Sequence, residues 1–202
     1  MKRYTPTQEE MQGRIARFKD LVSTKARIQE KLGLPQEVME MITAKATFNV
    51  MSPGPLPGQI SPRPAVEGGD AGVFRLGIVT CPPGQGPGLH VHYHTHETFM
   101  CLTGRWLIQW GDRGEESTVL EHLDLIALPP TVTRRFENLS DQDAQLLVIV
   151  QGQRDQFDDI DRDPATAEKI AARFGPEIVS RLETAGWKFT IGKEAANEPA
   201  RA

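Results

Sequence analysis

Cysteine is scarce in this sequence. Cys81 and Cys101 are the two in 202 residues, too few for a disulfide framework, and the expectation is a reduced, cytoplasmic protein. An excess of one charge is missing as well. Lys and Arg number 23 against 27 Asp and Glu, for a formal charge of -4 and a pI near 5.8. With no basic surplus to neutralise phosphates, nucleic acid is not an expected partner. No apolar run approaches the ~18 residues that span a bilayer. Met1-Lys2-Arg3-Tyr4-Thr5-Pro6 leads into polar residues rather than an apolar export core, so neither membrane nor secretion is expected. What is present, 39% hydrophobic and 25% charged residues, suits a globular fold of one domain with extensions.

Residues 1–50 read as a helical extension. Thr7 and Glu10 form a capping box, and Met11, Ile15, Phe18 and Val22 recur at helical spacing. Gly33 is placed as a C-cap, and Pro35 opens a second helix through Val38, Met39 and Ile42. Prolines crowd residues 51–65, which predicts an extended linker. From 66 to 152, short apolar runs are broken by Gly, Pro and Asp. Strands are predicted over 73–80, 98–102, 105–110, 117–120, 124–128, 133–137 and 145–150, the pattern of a barrel or sandwich.

Leu146-Leu147-Val148-Ile149-Val150 is apolar in both parities and is expected to be covered on two sides. With the amphipathic N-terminal segment it predicts a homodimer. Residues 153–192 read as helical again: Asp163 is an N-cap before Pro164, and Ile170, Ala171 and Phe174 form the stripe. Residues 193–202 read as a flexible tail.

Four of the five histidines fall in one run, His90-Val91-His92-Tyr93-His94-Thr95-His96, with Glu97 next. On a regular strand, alternation places all four imidazoles on one face. Imidazole with carboxylate suits Fe, Mn, Ni, Cu or Zn, and two His with one carboxylate leave coordination positions open for substrate. The same alternation places Val132, Arg134 and Phe136 toward an interior, with Thr133, Arg135 and Glu137 on a wet face.

Read outward, the spacing is Gly84, five residues, His90-x-His92, four residues, Glu97, six residues, Gly104. It resembles the first motif of the cupin superfamily, with germin-like spacing. A competing register through Gly86, His92 and His94 leaves too few residues before Glu97. The resemblance implies an all-β double-stranded β-helix, the jelly-roll barrel, flanked by N- and C-terminal helices. It also implies that His90, His92 and Glu97 are metal ligands, with His94 as an extra candidate. Glu97 lies an odd number of residues after His90, so a bulge or bend between Tyr93 and His96 must reverse its parity.

A second cupin motif is degenerate here, over Pro129 to Asn138. Thr131 stands in place of Gly, Leu123 precedes Asp124 in place of another Gly, and Arg134 replaces the metal-binding His. A guanidinium has no lone pair for a metal. Either the metal keeps three protein ligands while Arg134 serves catalysis by holding an anionic substrate, or Arg134 pairs with Glu97 and the metal is lost. Phe136, Cys101 and Tyr93 are further substrate-binding candidates, and Arg75, interrupting an apolar strand, is a candidate for a second anion contact. The expected function is a small-molecule metalloenzyme acting on an organic acid or enol. Dioxygenase is the first choice; isomerase, decarboxylase or lyase come next. The alternative is a non-catalytic metabolite-binding cupin.

Overall fold

The computed structural model describes residues 4–54, 64–69, 73–152 and 159–192. Their eleven strands lie in two sheets. The first contains β1 (Ala46–Ser52), β2 (Val66–Glu67), β3 (Phe74–Cys81), β5 (His96–Cys101), β8 (Leu125–Leu128) and β10 (Ala144–Gln151), ordered β2-β1-β3-β10-β5-β8. The second contains β4 (His90–His92), β6 (Trp106–Trp110), β7 (Glu116–Leu120), β9 (Thr133–Asn138) and β11 (Ile160–Arg162), ordered β11-β4-β9-β6-β7. From β3 onward the chain passes back and forth between the sheets. That winding makes an all-β double-stranded β-helix with flanking helices.

Period-2 burial builds the barrel core. Phe99, Trp106, Ile108 and Leu146 are fully buried, and Phe136 packs edge-on against Phe99 at 5.2 Å and Trp106 at 5.7 Å. Burying each such side chain contributes about 1.5–3 kcal/mol. A second core joins the two ends of the chain. Val38 and Met39 of α3 (Gln36–Ile42) pack with Ile170 of α4 (Pro164–Phe174) and Leu182 of α5 (Pro176–Thr184). Ile28 of α2 (Thr24–Leu32) completes it.

Local signals held where they were strong. Gly33 ends α2 in the left-handed region at φ +60, and Asp163 caps α4 by accepting the Ala165 N–H at 2.8 Å. All seven expected strands are present with ends within two residues. Three readings need correction. The Thr7–Glu10 capping box is present, but its helix α1 (Gln8–Gln12) is five residues long, and Met11, Ile15, Phe18 and Val22 are exposed rather than a buried stripe. Residues 46–49, read as helix, begin β1 and pair with β3; Thr47, Phe48 and Val50 favour a pleated surface once a partner strand is available. β11 lies inside the segment read as helical. Residues 55–63, most of the proline-rich stretch, lie outside the described residues, as do 193–202. Cys81 and Cys101 are buried and unbridged. No described helix is long and apolar enough to cross a membrane.

Candidate metal centre

β4 ends at His92, Tyr93 and His94 turn the chain, and β5 begins at His96 in the opposite sheet. A corner between sheets, not a bulge within one strand, therefore reverses the parity of Glu97. The corner also breaks the row of four imidazoles. His90 and His92 are buried, whereas His94 and His96 are exposed. Asp159, fully buried, holds the turn. It accepts the His94 N–H at 2.6 Å and the Thr95 hydroxyl.

His90, His92 and Glu97 each present a ligand atom, all within 4.8 Å of one another. Glu97 Oε2 lies 3.7 Å from His90 Nε2 and 3.5 Å from His92 Nε2. The outer ring nitrogens are engaged elsewhere. His90 Nδ1 is 3.0 Å from the Gly88 carbonyl, which can only accept, so that nitrogen carries the hydrogen. His92 Nδ1 lies 2.9 Å from Thr95 Oγ1 and 3.2 Å from Asp159 Oδ2. Because the Thr95 hydroxyl donates to Asp159, its oxygen accepts from His92. Both rings thus turn an Nε2 lone pair toward Glu97, the arrangement that orients imidazoles on a metal. Glu97 Oε2 is buried with no hydrogen-bond partner among the described residues. The donor set fits a divalent first-row ion bound by two His and one carboxylate.

Electrostatics favour the ligand forms. Burial opposes ionisation of Glu97, but at low pH the imidazolium charge and hydrogen bonding of His92 and His90, with the Arg134 guanidinium, outweigh it and hold its pKa at about 2. Burial likewise opposes ionisation of Asp159, and His92, Thr95 and the His94 N–H hold it at about 2. Burial pushes His90 below its ordinary value, which keeps the ring neutral.

Arg134 is fully buried. Its Nε is 3.7 Å from Glu97 Oε2, and its Nη2 donates to the Pro129 carbonyl at 3.0 Å. Beside these groups lies a cavity of about 240 Å³, lined by His90, His92 and Glu97 from the barrel and by Lys25, Met39 and Ile42 from α2 and α3. Phe136 and Arg75 also line it, whereas Arg134, Cys101 and Tyr93 are absent from its wall. Cys101 lies in the barrel core, and the Tyr93 hydroxyl donates to Asp161 at 3.2 Å. Thr133, expected on the wet face, is buried, while Arg135 and Glu137 pair at 2.8 Å on the outer side.

The sequence reading missed Asp159, Lys25 and Arg162. Asp159 and Arg162 come from the segment read as helical, and no local pattern ties either one to β4. Lys25 sits on α2, and its burial follows from the packing of that helix over the cavity.

The degenerate second motif keeps the backbone it would have with glycine. Leu123 has φ +70 and Thr131 φ +66, both in the left-handed region. Asn138 is fully buried and satisfied: its Nδ2 donates to the Cys81 and Gln142 carbonyls, and its Oδ1 accepts from Ser140. Gly86, the glycine of the competing register, has a packing role, since a Cβ there would lie 1.8 Å from the Phe136 oxygen.

Residues 77–150 match the family described as cupin domain. No curated protein matches the chain. Among solved structures, a cupin domain from Schizosaccharomyces pombe is 15% identical, with a TM-score of 0.37 over 40% of this chain and 56% of that one. A sugar phosphate isomerase of the cupin superfamily from Silicibacter pomeroyi is 23% identical, with a TM-score of 0.36 over 40% of this chain and 51% of that one. A structure described as DMSP lyases is 18% identical, with a TM-score of 0.44 over 58% of this chain and 52% of that one. The chain thus spans little more than half the length of these structures. The two-sheet barrel, the spacing of His90, His92 and Glu97, and the family match agree: residues 77–150 are a cupin domain.

Proposed function

We propose that the protein is a metal-dependent cupin that binds a small anionic molecule, an organic acid or enol, in the cavity above His90, His92 and Glu97. The observation that carries this is the pair of imidazoles with their Nδ1 atoms engaged and both Nε2 atoms turned toward one buried carboxylate. A bound Fe, Mn, Ni, Cu or Zn would polarise a substrate oxygen or, if iron, support oxygen chemistry. The protein side supplies a fixed donor set and a cavity walled largely by apolar groups, which limits water at the reacting atoms. Dioxygenase chemistry is the first reading, with isomerase, decarboxylase or lyase next. Non-catalytic metabolite binding is the alternative.

Elemental analysis of untagged protein tests the reading. About one transition metal per chain is expected, and His92→Ala should strip it. Wild-type protein that cannot be reconstituted with any of the five metals overturns it. Oxygen uptake with a panel of small organic acids separates the dioxygenase from the other chemistries.

A homodimer is also proposed. Met100, Ile78 and Leu147 of the first sheet are only half-buried, and Leu125 beside them is exposed. Such a surface is more apolar than a small monomer needs. A monomer by light scattering at micromolar concentration contradicts it.

A further inference from the structure

His90 sits between two arginines. In the register of the second sheet it pairs with Arg134 on β9 and with Arg162 on β11. Directly paired residues in antiparallel strands project to the same side, so both guanidinium side chains start from the face that carries His90. They end differently. Arg134 is sealed behind Glu97 and held by the Pro129 carbonyl. Arg162 lines the cavity. Its guanidinium carbon lies 4.2 Å over the Trp187 ring, and among the described residues its guanidinium donates no hydrogen bond. The adjacent carboxylate of Asp161 is occupied by Tyr93, Thr190 and the Arg162 backbone N–H.

A planar donor fork stacked on an aromatic ring is already oriented, so little side-chain freedom is lost when a partner arrives. The wall is cationic beyond Arg162. Arg75 lines it from β3, and Lys25 lines it from α2, its Nζ making no hydrogen bond and lying 3.8 Å from Glu40 Oε1. Among the described residues Glu97 is the one carboxylate on that wall, and it already faces His90, His92 and Arg134. A cavity so lined selects an anion.

We propose that Arg162, stacked on Trp187, is the residue that binds the carboxylate of the cavity's ligand, by a bidentate pair beside His90. This rests on the small-acid reading above and moves anion recognition from Arg134 to Arg162. A ligand held there lies next to the metal-ligand group, because Arg162 and His90 are directly paired.

The test is isothermal titration of metal-loaded protein with C2–C6 mono- and dicarboxylates and with their matched primary amides. At least one carboxylate is expected to bind and its amide to bind far more weakly. Arg162→Gln should weaken that carboxylate roughly 10- to 100-fold with metal content unchanged. Arg162→Lys, which keeps charge but loses the fork, should fall between, and it decides the matter if Arg162→Gln does not fold. Equal binding of acid and amide overturns the proposal, as does wild-type affinity in both Arg162 variants, or no carboxylate bound at all. Arg162-dependent carboxylate binding by protein that takes up no metal would sink the metal reading and leave this one standing. Metal uptake with Arg162-independent binding does the reverse.

Discussion

Asp159 Oδ2 lies 3.2 Å from His92 Nδ1, on the side of the ring away from Glu97. The carboxylate fixes the ring's tautomer and makes its Nε2 a better donor. Asp159→Ala should therefore weaken metal binding about 10- to 100-fold while leaving all three ligands in place. Metal competition with a chelator measures it. Unchanged affinity would mean that Thr95 alone orients the ring.

Arg134 is expected to act on Glu97 rather than on a ligand. Arg134→Met leaves the buried Glu97 charge without its guanidinium and should destabilise the metal-free protein by about 3–5 kcal/mol. At neutral pH it also removes a cation that repels a metal, so metal affinity should rise and loading should recover much of the lost stability. Arg134→His should tighten metal further by adding an imidazole beside Glu97. Urea melts of both variants, with and without metal, check these signs. A variant with weakened metal binding contradicts them.

Acid should destabilise the metal-free protein in a definite window. Glu97 and Asp159 titrate at about 2 in the folded state, against ordinary values of 4.5 and 3.8. Unfolding then takes up protons, so the stability they contribute is present above about pH 5 and is lost as the pH falls through 4 toward 2. His90, pushed below 6.5 by burial, acts in the same direction from 6.5 downward. The urea midpoint should decline gently below pH 6.5 and more steeply below 4.5, and Glu97→Gln should reduce the steep part. A flat midpoint from pH 7 to 3 would refute this.

Left-handed backbone at Leu123 and Thr131 predicts easy stabilisation. Leu123→Gly and Thr131→Gly each relieve a Cβ clash of about 1–2 kcal/mol and give back part of it to a freer unfolded chain. A net gain of about 0.5–1 kcal/mol each is expected. Calorimetric Tm values check it, and a fall in Tm for both would mean that the exposed side chains contribute more than the backbone strain removes.

The barrel and its three candidate ligands were legible because their signals are local. The short apolar runs at 98–102 and 145–150 are set by neighbouring residues, and the spacing of His90, His92 and Glu97 is written in one short stretch. Caps at Gly33 and Asp163 are equally local, since one residue's φ or one side-chain acceptor suffices. What the sequence could not state is which strands lie side by side. Pairing of β4 with both β9 and β11 places Arg134 and Arg162 on either side of His90, from positions 44 and 72 residues further along the chain. Whether each arginine is sealed against Glu97 or turned to the cavity depends on the packing around it. Likewise Ala46–Ser52 became a strand only because β3 offered an unpaired edge, and His94 left the ligand row only because the chain turned between sheets at Tyr93. Local chemistry chose the candidate ligands; long-range strand pairing chose their neighbours, because hydrogen-bond registry between distant segments has no trace in either segment alone.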